Sequence, residues 1–128
     1  LLVTGQIMAT DNITAYYSSD IQLKENIRPI ENAVFKVQQL SGIQFTWNEK
    51  SHQVQQDKGE DVGLIAQEVE TVEKANGYST NGNDRLFINR TENGLHYSLK
   101  YERLVPVLIN AVKELSAEVK QLKSQLNN

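Results

Sequence analysis

The chain has no cysteine. Disulfide frameworks, thiol catalysis and the usual zinc-ligand spacings are excluded together, and the redox compartment is left open. Histidine is nearly as scarce: His52 and His96 stand far apart, and neither has a serine or carboxylate pattern around it that resembles a catalytic triad. There are only two prolines and one tryptophan. No apolar run approaches the roughly 20 residues that span a bilayer, and the first residues lack the basic region and cleavage site of a secretory signal. Nor is there an excess of positive charge. The net charge is -3 and the lysines and arginines are scattered, so a nucleic-acid partner has no electrostatic footprint. Asp61, Glu68, Glu70 and Glu73 have no metal-loop spacing, and neither a metal nor another cofactor is expected.

At 128 residues the chain is the size of one ordinary domain. It begins at Leu1 without a methionine, so it is expected to be a piece of something longer. Residues 1–17 are rich in strand formers, with Gly5 and Asp11-Asn12 as turn signals, and read as short strands that finish an upstream β structure. A polar joint follows from Ser18 to Ile30. Beyond it Ile30, Ala33, Val34, Val37 and Leu40 recur at helical spacing, which predicts a helix of about three turns that stops at Ser41-Gly42. Ile43, Phe45 and Trp47 alternate with polar residues as in a half-buried strand; both aromatics read as core rather than as ligand platforms.

Residues 48–61 have Val54 as their only apolar side chain and read as a long polar excursion. A short buried strand is predicted at Val62-Gly63-Leu64-Ile65, then a helical turn or two from Ala66 to Glu73, ended by Asn76-Gly77. Asn93-Gly94, between the apolar runs Leu86-Phe87-Ile88 and Leu95-His96-Tyr97, predicts a hairpin.

The C-terminal quarter has the cleanest pattern. Tyr101, Val105, Leu108, Val112, Leu115, Val119, Leu122 and Leu126 are spaced alternately four and three apart, a heptad seam. Its flanks are polar toward the end, which suits another helix better than a globular surface and predicts self-association. Nearer the start the stripe widens to Leu104, Ile109 and Ala111, where packing on the domain is expected, and Pro106 predicts a kink or a restart. The seam alone does not decide between two strands and three. The fold class is therefore α+β: a small mixed domain with short strands and a hairpin, then a long helix forming a coiled coil.

Four separated motifs occur in order: Ser19-Asp20-Ile21-Gln22-Leu23-Lys24-Glu25-Asn26-Ile27, Gly42-Ile43-Gln44-Phe45-Thr46-Trp47, Gly63-Leu64-Ile65-Ala66-Gln67-Glu68-Val69, and Tyr97-Ser98-Leu99-Lys100-Tyr101 leading into Leu104-Val105-Pro106 and Ala111-Val112-Lys113-Glu114-Leu115. Together they resemble the C-terminal intramolecular chaperone domain of phage tail spikes, tail fibres and neck appendages, a self-cleaving serine peptidase domain. The resemblance implies a homotrimer that guides folding of the stalk ahead of it and then cuts itself free, with no external substrate. Residues 1–18 would be the end of that stalk, 19–100 the chaperone core with extended arms at 48–61 and 76–94, and 101–128 the coiled-coil helix. Partners would be other copies of the chain and its own stalk, with no nucleic acid or membrane. The setting would be a phage structural precursor in the host cytoplasm.

By position, the resemblance puts the scissile bond at Ser18-Ser19, the nucleophile at Ser19 and its base at Lys24. Asp20, Gln67 and Glu68 are further candidates to support the site. Lys24 can act as a base only when neutral, and lysine in water, near pKa 10.4, is almost wholly charged at pH 7. Burial would have to favour the neutral amine. Asp20 and Glu25 would oppose that if they faced it, so they are expected to point away or to be engaged elsewhere. Without the resemblance, Lys24 reads as an exposed lysine and Ser19-Asp20 as a turn cap. The competing function is a structural cap that stays attached and performs no chemistry.

Overall fold

The computed structural model describes residues 2–5, 7, 19–53, 59–76, 87–90 and 96–127. Helix α1 is Ala33–Gln38, strand β1 Ile43–Thr46, β2 Glu60–Gly63, helix α2 Ala66–Ala75, β3 Ile88–Arg90, β4 Tyr97–Leu99 and helix α3 Val105–Leu126. Short 3-10 helices lie at Ile21–Leu23, Glu49–Gln53 and Tyr101–Leu104. The strands form two separate antiparallel pairs, β1 with β2 and β3 with β4. The chain is thus a mixed α and β domain with a long C-terminal helix, as the sequence predicts.

One core joins these pieces. Ala33 of α1, Val69 of α2, Phe87 and Ile88 from the second hairpin, and Leu104, Val107 and Ala111 at the start of the last helix pack into a single buried cluster. Each large aliphatic side chain removed from water there contributes about 1.5–3 kcal/mol. Helix α1 is shorter than the predicted three turns, and its boundary has a long-range cause. Asn32 takes a left-handed conformation at φ 54° and makes no side-chain cap. The cap comes instead from α3, where the Glu114 carboxylate accepts hydrogen bonds from the Ala33 and Val34 N–H groups at 3.1 and 2.8 Å. Asn110 Nδ2 donates to the Ile30 carbonyl at 3.0 Å, so one face of α3 holds the whole entry to α1.

Strand β1 shows the expected alternation of half-buried and exposed residues. Its partner lies two residues earlier than predicted. Ile43 pairs with Gly63 and Thr46 with Glu60, so Leu64 and Ile65 leave the ladder and lead into α2. The polar Glu60-Asp61 can be strand because this strand is largely exposed and its hydrogen bonds are to backbone. Trp47 Nε1 donates to Asp61 Oδ2 at 3.1 Å and reinforces the pair. Helix α2 runs ten residues, longer than the turn or two predicted, and Asn76 caps its C-terminus through its N–H and through Nδ2, which donates to the Val72 carbonyl at 2.7 Å. Glu68 ties the start of α2 to the turn after α1, accepting from Ser41 N at 2.9 Å and Ser41 Oγ at 3.1 Å.

The predicted hairpin is present, with Ile88 opposite Leu99 and Arg90 opposite Tyr97; its turn residues, 91–95, lie outside the described residues. So do most of 1–17, and the described residues 2–5 and 7 are not in strand. Pro106 marks a restart: a 3-10 turn runs from Tyr101 to Leu104, and α3 begins at Val105 with the proline in its first turn, where a missing N–H is no loss. Ile109, expected against the domain, is exposed; Val107 takes that place in the core.

Replacing Glu114 with Ala leaves two N–H groups at the start of α1 without their acceptor. The expected loss is roughly 1–3 kcal/mol in urea unfolding at fixed protein concentration, with Glu114→Gln recovering part of it.

Candidate functional site

The joint is built locally. Asp20 stands at the N-cap of the 3-10 turn and its Oδ1 accepts from Gln22 N at 2.9 Å. Leu23 N donates to Asp20 O and Lys24 N to Ile21 O, both at 3.1 Å. The turn brings two side chains five residues apart into contact: Lys24 Nζ donates to Ser19 Oγ at 2.8 Å. Both side chains are exposed. Beyond Lys24 the chain bends at Asn26, at φ 53°, in the left-handed region that asparagine tolerates better than most residues. Ser18, on the other side of the expected scissile bond, lies outside the described residues.

The expected supporting residues divide. The Asp20 carboxylate accepts from the backbone of its own turn. Glu68 is half-buried and bonded to Ser41, a contact between α2 and the turn after α1 rather than part of the Ser19–Lys24 pair. Gln67 is exposed and lines a cleft of about 640 Å³ between the first hairpin and β4, beside Phe45, Trp47, Tyr97 and Tyr101. Phe45 and Trp47 meet there edge to face at 5.0 Å. His96 also borders this cleft.

The other acids singled out from the sequence have structural partners. Asp61 accepts from Trp47 and from Val62 N, and Glu70 pairs with Lys74 at 2.7 Å. Glu73 is fully buried and accepts from Phe87 N at 3.2 Å, while its Oε2 has no partner among the described residues. Sequence reasoning missed this buried carboxylate. Its one local signal is the position of Glu73 on the same helical face as Val69 and Val72.

The seam residues Val105, Leu108, Val112, Leu115, Val119, Leu122 and Leu126 are between 46 and 84% exposed, so none is covered by its own chain. Tyr101, expected to open the seam, sits in the 3-10 turn and its hydroxyl accepts from Leu64 N at 3.0 Å.

Residues 19–78 match a peptidase S74 family model described as chaperone of endosialidase, and the match begins at Ser19 itself. Over that stretch, just under half of its length, the chain is similar to chaperone-of-endosialidase domains. Along 129 aligned residues it is also 33% identical to the long tail fiber protein Gp37 of Enterobacteria phage K3 and, equally, to that of Enterobacteria phage T2. The alignment takes in 95% of this chain but 9% of each relative, so the chain spans about a tenth of the length of the fibre proteins it resembles. Among the described residues no helix is long and apolar enough to cross a membrane.

Close packing at the edge of the cleft is directly testable. A Cβ on Gly63 would lie 2.6 Å from the Tyr101 hydroxyl, which is held by Leu64. Gly63→Ala is expected to lower stability by about 1–3 kcal/mol, the usual range for overpacking. In a Tyr101→Phe background most of that loss should vanish, and a thermodynamic double-mutant cycle measures the difference.

Proposed function

We propose that this domain is an intramolecular chaperone that trimerises through α3, assists folding of the fibrous stalk of its own polypeptide, and then releases itself by autoproteolysis at Ser18-Ser19. The observation that carries the reading is the 2.8 Å contact between Lys24 Nζ and Ser19 Oγ, at the first residue of the family match. The peptidase designation of the family and the fibre proteins among its relatives support it. The setting is a phage structural precursor in the host cytoplasm, and the domain leaves the particle on release.

The chemistry balances without a cofactor. Lys24, as the neutral amine, takes the Ser19 hydroxyl proton while Oγ attacks the Ser18 carbonyl carbon. The C–N bond breaks, the proton passes to the leaving Ser19 nitrogen, and an ester joins Ser18 to Ser19 Oγ. Water then hydrolyses that ester. The 2.8 Å contact already sets the amine against the hydroxyl it would deprotonate.

Exposure in the single chain keeps water around the ammonium. Excluding that water disfavours the charged form. The same turn carries Ile21 and Leu23, with Ile27 just beyond, all 65–72% exposed; apolar surface of this kind gains by being covered when copies assemble. Assembly thereby licenses cleavage. Release removes contacts that favour folding, and the finished fibre is left behind its unfolding barrier.

Intact mass of the full-length parent polypeptide tests the reaction. The wild type should give a fragment that begins at Ser19, Ser19→Ala none, and Lys24→Met a rate at least about 100-fold lower. A wild type that stays whole and shows no fragment ending at Ser18 leaves only the attached cap. For assembly, light scattering at micromolar concentration should report three copies. Leu115→Asp with Leu122→Asp, which puts charge at two apolar seam positions, should give monomer and no cleavage; a monomeric wild type would refute both readings.

A further inference from the structure

We infer that Asp20 is a positioning residue: by capping the 3-10 turn it holds Lys24 over Ser19, and it acts through this hydrogen bond rather than through its charge. The inference rests on the proposed cleavage at Ser18-Ser19. Regular structure does not bring residues i and i+5 together. In a strand they lie about 16 Å apart, and on an α-helix they point roughly 140° away from each other. Here the contact depends on a three-residue 3-10 turn, Ile21–Leu23, entered and left through extended residues at Asp20 and Lys24.

That turn has little else to hold it. None of its residues is buried, so no core packing fixes it. Its backbone supplies two hydrogen bonds, Leu23 N to Asp20 O and Lys24 N to Ile21 O. The N–H of Gln22 is taken by Asp20 Oδ1 at 2.9 Å. Among the described residues the Asp20 side chain thus supplies one of the three acceptors of main-chain N–H groups in a water-exposed turn, and side-chain caps of this kind are favoured by aspartate and asparagine alike. Its charge works against the reaction, because a carboxylate near Lys24 would stabilise the ammonium. The residue after the nucleophile thus earns its place by geometry.

Hydrogen bonding and charge separate in two variants, Asp20→Asn and Asp20→Ala, in the full-length parent polypeptide. Asparagine can still accept from Gln22 N, so Asp20→Asn should cleave within about threefold of wild type, faster rather than slower toward neutral pH. Asp20→Ala should be about tenfold slower across the pH profile, the population loss that a missing cap brings. Equal rates for Asp20→Ala and wild type overturn the inference, and so does an Asp20→Asn as slow as Asp20→Ala. A second readout does not need cleavage: with Ser19→Ala in place, amide exchange at Gln22 should be about tenfold faster with Asp20→Ala than with Asp20→Asn. Equal exchange defeats the positioning role alone, whereas a wild type that is never cut defeats the cleavage reading beneath it.

Discussion

The hydrogen bonds from the Ala33 and Val34 N–H groups to the Glu114 carboxylate organise this molecule. They join positions some eighty residues apart and make the C-terminal helix part of the domain rather than an appendage. The exposed N–H groups and partial positive charge of a helix start suit an anionic acceptor. With Asn110 holding the Ile30 carbonyl, both the beginning of α1 and the end of the joint are referred to one face of α3. Leu104, Val107 and Ala111 bury the adjoining turns against the same core. The first half of α3 therefore sets where the domain sits, and the second half inherits that orientation.

This arrangement gives one helix two faces with different requirements. The face bearing Val107, Ala111 and Glu114 is satisfied within the chain. The face bearing Leu108, Leu115 and Leu122 is left in water. Helices that lack tertiary contacts are marginal at this length, and most helical stability comes from packing an apolar stripe. Among the described residues nothing covers the distal half of α3, and on the proposed reading a matching stripe on another copy does.

What could be read from the sequence follows the range of the signal. The seam of α3, the alternation in β1 and the Asn93-Gly94 hairpin are periodic or local, and each is visible in consecutive residues. The length of α1 is not, because left-handed Asn32 delays the helix start to Ala33 and Glu114 caps it from far away in sequence. The shift of β2 has a similar origin: apolar Val62-Gly63-Leu64-Ile65 looks like the strand, but pairing of Ile43 with Gly63 extends the ladder back into Glu60-Asp61. Glu73 is hardest to find, since its burial depends on how α2 docks against the second hairpin. At the candidate site, Ser19 and Lys24 stand out only through the family resemblance, and the turn that lets the two side chains touch becomes clear only in three dimensions.

The joint separates two demands that catalysis usually meets in one pocket. Proximity is supplied by residues 19–24 alone: a short turn, one cap and two backbone bonds bring a hydroxyl and an amine to 2.8 Å with no help from the core. Water exclusion is not, because that turn lies on the surface with Ile21 and Leu23 beside it. Proximity is the easier of the two for a local sequence to encode, since it needs few residues and little burial. A dry environment needs area, and a chain this size has already committed its buried area to the core beneath α1, α2 and α3. On the proposed reading, leaving the second demand to neighbouring copies makes cleavage wait on assembly. On this account the exposure of Ser19 and Lys24 is what a release site needs if it is to stay silent until the fibre is built.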